Sequence, residues 1–329
     1  MPKRMILNLD LQPVAGSRFQ PTGFPDLGAG TFDKPVGGSW VKALLVESEQ
    51  SMANHLEATG WDRGTQQPVV EFKGLPYVRV VNATGEYLTS SRTEAHRLSS
   101  AFIRESKLGP VPMIDALATR LDLKVDVPHS ARTIAAAVFA LDPLCLVHGV
   151  FFADPKLVGQ PKITRAITSF VEAIDVRPAE YGGVKRDDVR HKNAEDGGSG
   201  EGYGSIPFHR TQYTAQRIVL SMVLDLDQLR SYGLSADATR LLEVVAMWEM
   251  RTLFDGGLRL RTACDLAVTE GAVVALPTSA ELASELVNLA DKLSQDLNGG
   301  KPLEVVWSGG SKKPAKAAAT DAGDSDTGS

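Results

Sequence analysis

Apolar and polar residues alternate in "MILNLDL" (5–11), the pattern of a strand with one buried face. The same period returns in "VKALLV" (41–46), "LPYVRVVNA" (75–83), "AITSFVEAIDV" (166–176) and "RIVLSMVLDLD" (217–227). In the last of these, Ile218, Leu220, Met222, Leu224 and Leu226 share a face. "CLVHGVFFA" (145–153) is apolar on both faces and reads as a central strand, with His148 a hydrogen-bonded core histidine. "LRLRTACDL" (258–266) alternates strictly: Leu258, Leu260, Thr262, Cys264 and Leu266 face one way, Arg259 and Arg261 the other. "AVVAL" (272–276) reads as a closing strand.

Helical spacing marks 47–58, where Met52 and Leu56 form the buried stripe, Ser51, Asn54 and His55 lie off it, and Gly60 helps the stop. It also marks 90–103, with Ser90 or Ser91 as cap and Glu94 placed for a capping box, so that Arg92 and His96 share a face. Residues 131–142, 235–255 and 280–297 are the other helices; Ser235 caps the second, and Gly256 and Gly257 end it. Strands and helices interleave without regular βα alternation, so an α+β fold with a mostly antiparallel sheet is expected. A single elaborated domain over 1–307 accounts for the pattern, with insertions at about 12–40 and 84–130 and a long one at about 177–214. From Ser308 the chain has no core-forming residues and reads as a disordered tail (308–329).

Two glycine-rich stretches interrupt this order. "GSRFQPTGFPDLG" (16–28) carries Arg18, Phe19, Gln20 and Phe24 in a run that prolines and glycines bar from helix or central strand. Residues 176–215 hold Arg177, Lys185, Arg186, Arg190, His191, Lys192, His209 and Arg210, with Tyr181, Tyr203, Phe208 and Tyr213 between them and acidic residues interspersed. A solvated surface insertion has this composition. So does a protruding hairpin whose cations follow phosphates and whose rings offer faces to bases.

Composition narrows the classes. The 329 residues are 43% hydrophobic and 23% charged, ordinary for a soluble chain. The net charge of −5 argues against coating nucleic acid by bulk charge, and leaves room for a local cationic groove. Apolar runs fall short of the roughly 20 residues that span a bilayer. Cys145 and Cys264 read as reduced core residues of a cytoplasmic protein. The six histidines lack metal-ligand spacing, no glycine fingerprint for a nucleotide follows a strand, and no cofactor is expected. Asp26 and Asp33, in the opening loop, are the acids that could assist phosphodiester cleavage, though neither has a partner base in view.

"GSRFQPTGFPDLG", "LLVESEQSMANHLE", "GLPYVRV", "LTSSRTEAHRL", "DPLCLVHGVFFA", "DVRPAEYGGVKRD", "GYGSIPFHRTQYTA" and "GLRLRTACDL", in that order, resemble the repeated backbone subunit of the type I-G (formerly I-U) CRISPR effector complex, within the RAMP superfamily. The resemblance spans roughly residues 5–280. It implies an RRM-like (ferredoxin-like) palm with finger insertions and a thumb-like hairpin. It also implies a non-catalytic subunit that stacks with copies of itself along a CRISPR RNA, beside other subunits of the complex, and presents the guide for pairing with target DNA. The resemblance places RNA at Arg18, Phe19 and Gln20; at Ser51, Asn54 and His55; along Arg92, His96 and Arg97; and at Arg177, Lys185, Arg186, His209 and Arg210 of the thumb or its base. "HGVFFA" lacks the aromatic spacing with which ordinary RRMs stack bases, which suits a protein that must hold any guide sequence. The rival within the superfamily is an RNA endonuclease using Asp26 or Asp33.

Overall fold

Alternation in the first strand decides which way the main sheet faces. The computed structural model describes residues 2–24, 28–186, 188–189, 206–270 and 275–309. In it β1 (Arg4–Pro13) buries Leu7, Leu9 and Leu11 and turns Ile6 and Asn8 to solvent. β2 (Thr31–Val36) and β3 (Ser39–Glu47) form a hairpin turning on Gly37 and Gly38, both at positive φ (56° and 85°), as a two-residue turn demands. α1 (Glu49–Thr59) follows, its first turn capped by the Ser48 hydroxyl, which accepts from the Ser51 amide at 3.3 Å. Then come β4 (Val78–Val81), β5 (Tyr87–Ser90), α2 (Ala131–Leu141) and the short α3 (Leu144–His148). The long β6 (Ile167–Lys185) and β7 (Ile206–Asp225) precede α4 (Ala236–Asp255), β8 (Leu258–Arg261), β9 (Cys264–Val268), α5 (Ser279–Lys292) and β10 (Leu303–Val306).

The main sheet runs β8-β9-β1-β7-β6-β3-β2 with every neighbouring pair antiparallel. A smaller sheet joins β10 and β4 in parallel, flanked by β5 and by the two-residue strands Lys107–Leu108 and Val111–Pro112. The fold is therefore α+β with a mostly antiparallel sheet, as the alternation implies. α1 packs on β6 and on α4. α4 is apolar on nearly all sides because it lies between other elements; Leu241, Leu242, Val245 and Trp248 are all buried. Phe72 meets Trp248 with ring centroids 4.8 Å apart.

The β6–β7 hairpin keeps one register from Ile167↔Leu224 to Lys185↔Ile206. β3 leaves it after Ile174 and β1 after Ile218. At that point Asp175 adopts φ 54°, an uncommon left-handed conformation inside a strand. The ten residues from Val176 to Lys185 then extend about 30 Å beyond the flanking strands at ~3.3 Å per residue.

Four sequence-based expectations fail for local reasons. Residues 145–153 are not one strand: the Asp142 carboxylate accepts from the Leu144 amide at 3.1 Å and starts α3, and Gly149 at φ 83° ends it. Only Val150–Phe151 is extended, since an apolar run carries no period that separates helix from strand. Residues 90–103 are not one helix, and Arg92 and His96 do not share a helical face. Glu94 accepts from the hydroxyls of Thr89 (2.6 Å) and Ser100 (2.7 Å) instead of closing a capping box. A turn, a 3-10 turn (Arg97–Ser99) and a one-turn helix (Ala101–Arg104) result. Residues 258–266 fold back as β8 and β9, which leaves Thr262 exposed. The opening insertion contains the β2–β3 hairpin, and β10 was not anticipated. Most of "AVVAL" and residues 310–329 of the proposed tail lie outside the described residues.

His148 is a buried, partnered histidine as expected: its Nε2 lies 2.8 Å from Glu249 Oε2, with both side chains fully buried. Burial pulls its pKa down, but the Glu249 and Glu57 carboxylates more than offset this and hold it above the ordinary 6.5. A histidine pKa raised on folding contributes stability below the unfolded value that is lost as pH rises through the folded one. The stability lost on Glu249→Gln is therefore expected to be largest below about pH 6.5 and to shrink at higher pH. Urea unfolding of both proteins across pH 5.5–8.5 checks this; a loss that grows with pH would contradict it.

Candidate nucleic-acid interface

The opening loop and the long hairpin, far apart in sequence, meet in one groove. Phe19 joins the hairpin through two reciprocal backbone bonds with Tyr213, both 3.0 Å. The Gln20 amide donates to the Ala263 carbonyl (2.7 Å) and Thr22 to Val46 (2.8 Å). Arg261 clamps the junction: Nη1 donates to the carbonyls of Gln20 (2.6 Å) and Val46 (3.3 Å), and Nη2 pairs with the fully buried Glu47. Burial lowers the pKa of Arg261. Gly23 has a structural purpose: a β-carbon there would lie 2.6 Å from the Gly28 carbonyl oxygen, on the short segment that Gly23–Phe24 pairs with.

The resulting groove, about 780 Å³, is lined by Gln20, Thr22, Gly23, His209, Arg210 and Tyr213, among others. The buried Gln20 Oε1 atom finds no hydrogen-bond partner among the described residues, nor does the buried Oε1 of Glu47 beside Arg261. His209 Nε2 contacts Glu180 Oε2 at 2.8 Å on one hairpin face. Arg177, opposite Thr214, and Arg210, opposite Tyr181, share the other face because residues paired across strands point the same way. Four residues separate the two pairs, about 13 Å, so the spacing suits successive phosphates and not a single one. Lys185 and Arg186 are exposed at the far end of the described hairpin, and Arg18 is exposed in the opening loop.

The remaining candidates divide between exposed and buried positions. Asn54 is exposed on α1 beside Trp61 and Tyr87, whose rings stack at 6.1 Å. Ser51 and His55 are half-buried, and burial lowers the His55 pKa. His96 is exposed at a separate cleft with Arg97 behind it. Three expectations need correction. Phe19 is 1% exposed and packs in the core, so it offers no ring to a nucleotide. Arg92 has a 4% exposed side chain held 2.9 Å from the buried Asp142, and donates to the Pro76 carbonyl at 3.0 Å. Arg97 makes a two-pronged pair with Glu57 (2.6 and 2.8 Å) and donates to Gly149 at 3.2 Å. The sequence shows these arginines as cations. It does not show the acids 40 and 50 residues away that absorb their charge. Asp26 lies outside the described residues, as does the Phe24 side chain. Asp33 sits in β2 and pairs with Lys42 at 2.8 Å.

Arg261 is the residue that pattern reading missed. It was legible only as an outward-facing strand arginine, because its partner Glu47 is 214 residues distant.

A family model described as CRISPR-associated protein GSU0053 matches residues 5–178. The chain belongs to that family. The matched stretch takes in the opening loop, α1 and β6 as far as Pro178, whereas His209, Arg210 and Arg261 lie beyond it. No curated protein matches the chain. Among solved structures it is similar to one titled "CRISPR RNA-guided surveillance complex, pre-nicking", at 13% identity over 88% of this chain and 89% of that one, TM-score 0.36. It is also similar to Csc2 of Thermofilum pendens, at 11% identity over 89% and 76% of the two chains, TM-score 0.31. Among the described residues of this CRISPR-associated protein, no helix is long and apolar enough to cross a membrane.

The Arg92–Asp142 pair separates a structural arginine from a binding one. Burial raises the Asp142 pKa against the opposing pull of Arg92 and Ser91. Deleting Arg92 strands that carboxylate, so Arg92→Leu is expected to cost about 3–5 kcal/mol. Chemical denaturation of the variant checks this. Unchanged stability with impaired nucleic-acid binding would return Arg92 to the interface.

Proposed function

We propose that this chain is the guide-holding backbone subunit of a type I-G CRISPR effector complex, binding CRISPR RNA and stacking with copies of itself along it. The observation that carries this reading is the convergence of the opening loop and the projecting hairpin on one groove, with Arg177 and Arg210 spaced along the hairpin. Phosphates track the cations while base edges stay free to pair with target DNA, so the guide and not the protein reads sequence. The strand order β9-β1-β7-β6 with α1 and α4 against it supports an RRM-like palm, and the hairpin beyond Asp175 serves as the thumb. A hairpin projecting about 30 Å past its own sheet reaches a neighbouring copy in such a stack. The setting is the cytoplasm, in company with the other subunits of the complex.

The subunit holds its guide without cutting it. Of the two acids that an endonuclease would draw on, Asp33 is engaged by Lys42. If about four phosphates are neutralised per copy, log K falls with log salt at a slope near −3.

Charge reversal tests the reading. Arg18→Glu combined with Arg210→Glu is expected to cut guide RNA co-purified with the complex by at least about tenfold, with the fold intact by circular dichroism. Full RNA retention in the double variant would overturn the assignment of this groove.

A further inference from the structure

We propose that the cleft between α1, the 95–104 turn and the 149–168 segment is a second polynucleotide site, one that binds a phosphodiester through Arg165 and Lys162. The inference rests on the chain's being a polynucleotide holder, but it places a contact at the root of the hairpin, well away from the thumb groove.

The cleft, about 940 Å³, is framed by Gln50 of α1, His96, Arg104, Phe151, Lys162 and Arg165. Its floor is fixed by backbone constraints. Gly149 is at φ 83°, and a β-carbon there would lie 2.9 Å from the Arg165 amide nitrogen and from the Ile163 carbonyl oxygen. Arg97 is held at φ 49°, a strained value for a side-chain-bearing residue, by its pair with Glu57 and its bond to Gly149. That rigid floor positions the rim.

The charge balance of the rim points to an anion. Arg97 is neutralised by Glu57 and Arg104 by Asp154. Arg165 and Lys162 form no ion pair among the described residues; Arg165 donates only to the Glu49 carbonyl at 3.0 Å. Burial, reinforced by the Arg97 guanidinium, lowers the Arg165 pKa against the opposing pull of the Glu57 and Glu49 carboxylates. Glu57, already paired with Arg97, and Glu49 balance the Arg165 charge only from a distance; a half-buried guanidinium with no carboxylate in contact can take a phosphate oxygen through charge-assisted hydrogen bonds. Phe151, 49% exposed, lies beneath the Lys162 ammonium, which is 5.8 Å from the ring centroid. A large exposed ring next to cations is what a sugar or base adjoining the bound phosphate packs against. Arg165 lies two residues before β6, and Arg177 ten residues into it, so at ~3.3 Å per residue the cleft and the thumb groove are about 40 Å apart. One extended polynucleotide can occupy both, and so can two different strands.

The test is a salt titration of binding by the full chain, using labelled single-stranded RNA and single-stranded DNA of the same sequence. Lys162→Glu, at an exposed position, and Arg165→Gln are compared with wild type, with Arg177→Glu reporting on the thumb groove. Each cleft variant is expected to bind about tenfold more weakly, the weight of one charge-assisted hydrogen bond. Arg165→Gln is also expected to reduce the salt slope by about 0.7, the value for one phosphate of a single strand. Loss confined to RNA assigns the guide to the cleft; loss on DNA assigns the target strand; either supports the site. Unchanged affinity and slope in Lys162→Glu, while Arg177→Glu weakens binding, would overturn the cleft and leave the guide-holding reading standing. A wild-type chain that binds neither strand would overturn both.

Discussion

The single register that β6 and β7 keep along their whole pairing is the constraint on which the rest depends. Its inner half is the middle of the main sheet, where Ile218, Leu220, Met222 and Leu224 are buried against the helices. Its outer half continues the same register after the pairing with β1 and β3 has ended. Hydrogen bonding thus carries the rigidity of the core out into solvent, and the hairpin inherits a direction that its own sparse packing could not specify. The positive φ at Asp175 lies where the two halves meet.

The opening loop reads that direction. With few aliphatic residues and several prolines it cannot build structure by burial alone. It is held instead by backbone bonds to Tyr213, Ala263 and Val46 and by the Arg261 guanidinium. Phe19 serves as the anchor pressed into the core, which frees the residues after it to line the groove. A buried ion pair such as Arg261–Glu47 is a weak source of net stability, because both charges lose their hydration. Its value here is in register: it requires the loop, β3 and the β8–β9 turn to be in place together.

Much of the fold was legible because its longest elements have clear periods. The alternation of 217–227 and the apolar surface of 235–255, with Ser235 ahead of it and Gly256 behind, survive intact in β7 and α4. Elements failed where local signals were degenerate: the apolar run at 145–153, and Glu94, which satisfies a capping pattern on paper yet bonds to Thr89 and Ser100. The site was legible as two odd loops, and the structure brings those loops together at Gln20, His209 and Arg210. Residue roles were less legible, because a cation in sequence does not reveal its counter-charge. Arg92 and Arg97 are in contact with acids, whereas Arg165, unremarkable in sequence, forms no ion pair among the described residues.

The central claim is that a ribonucleotide chain passes between the opening loop and the projecting hairpin. An electron-microscopy map of the RNA-bound assembly tests it most directly. The account predicts continuous backbone density between Thr22 and His209, with the bases turned outward. Density that runs elsewhere while this groove stands empty would contradict it.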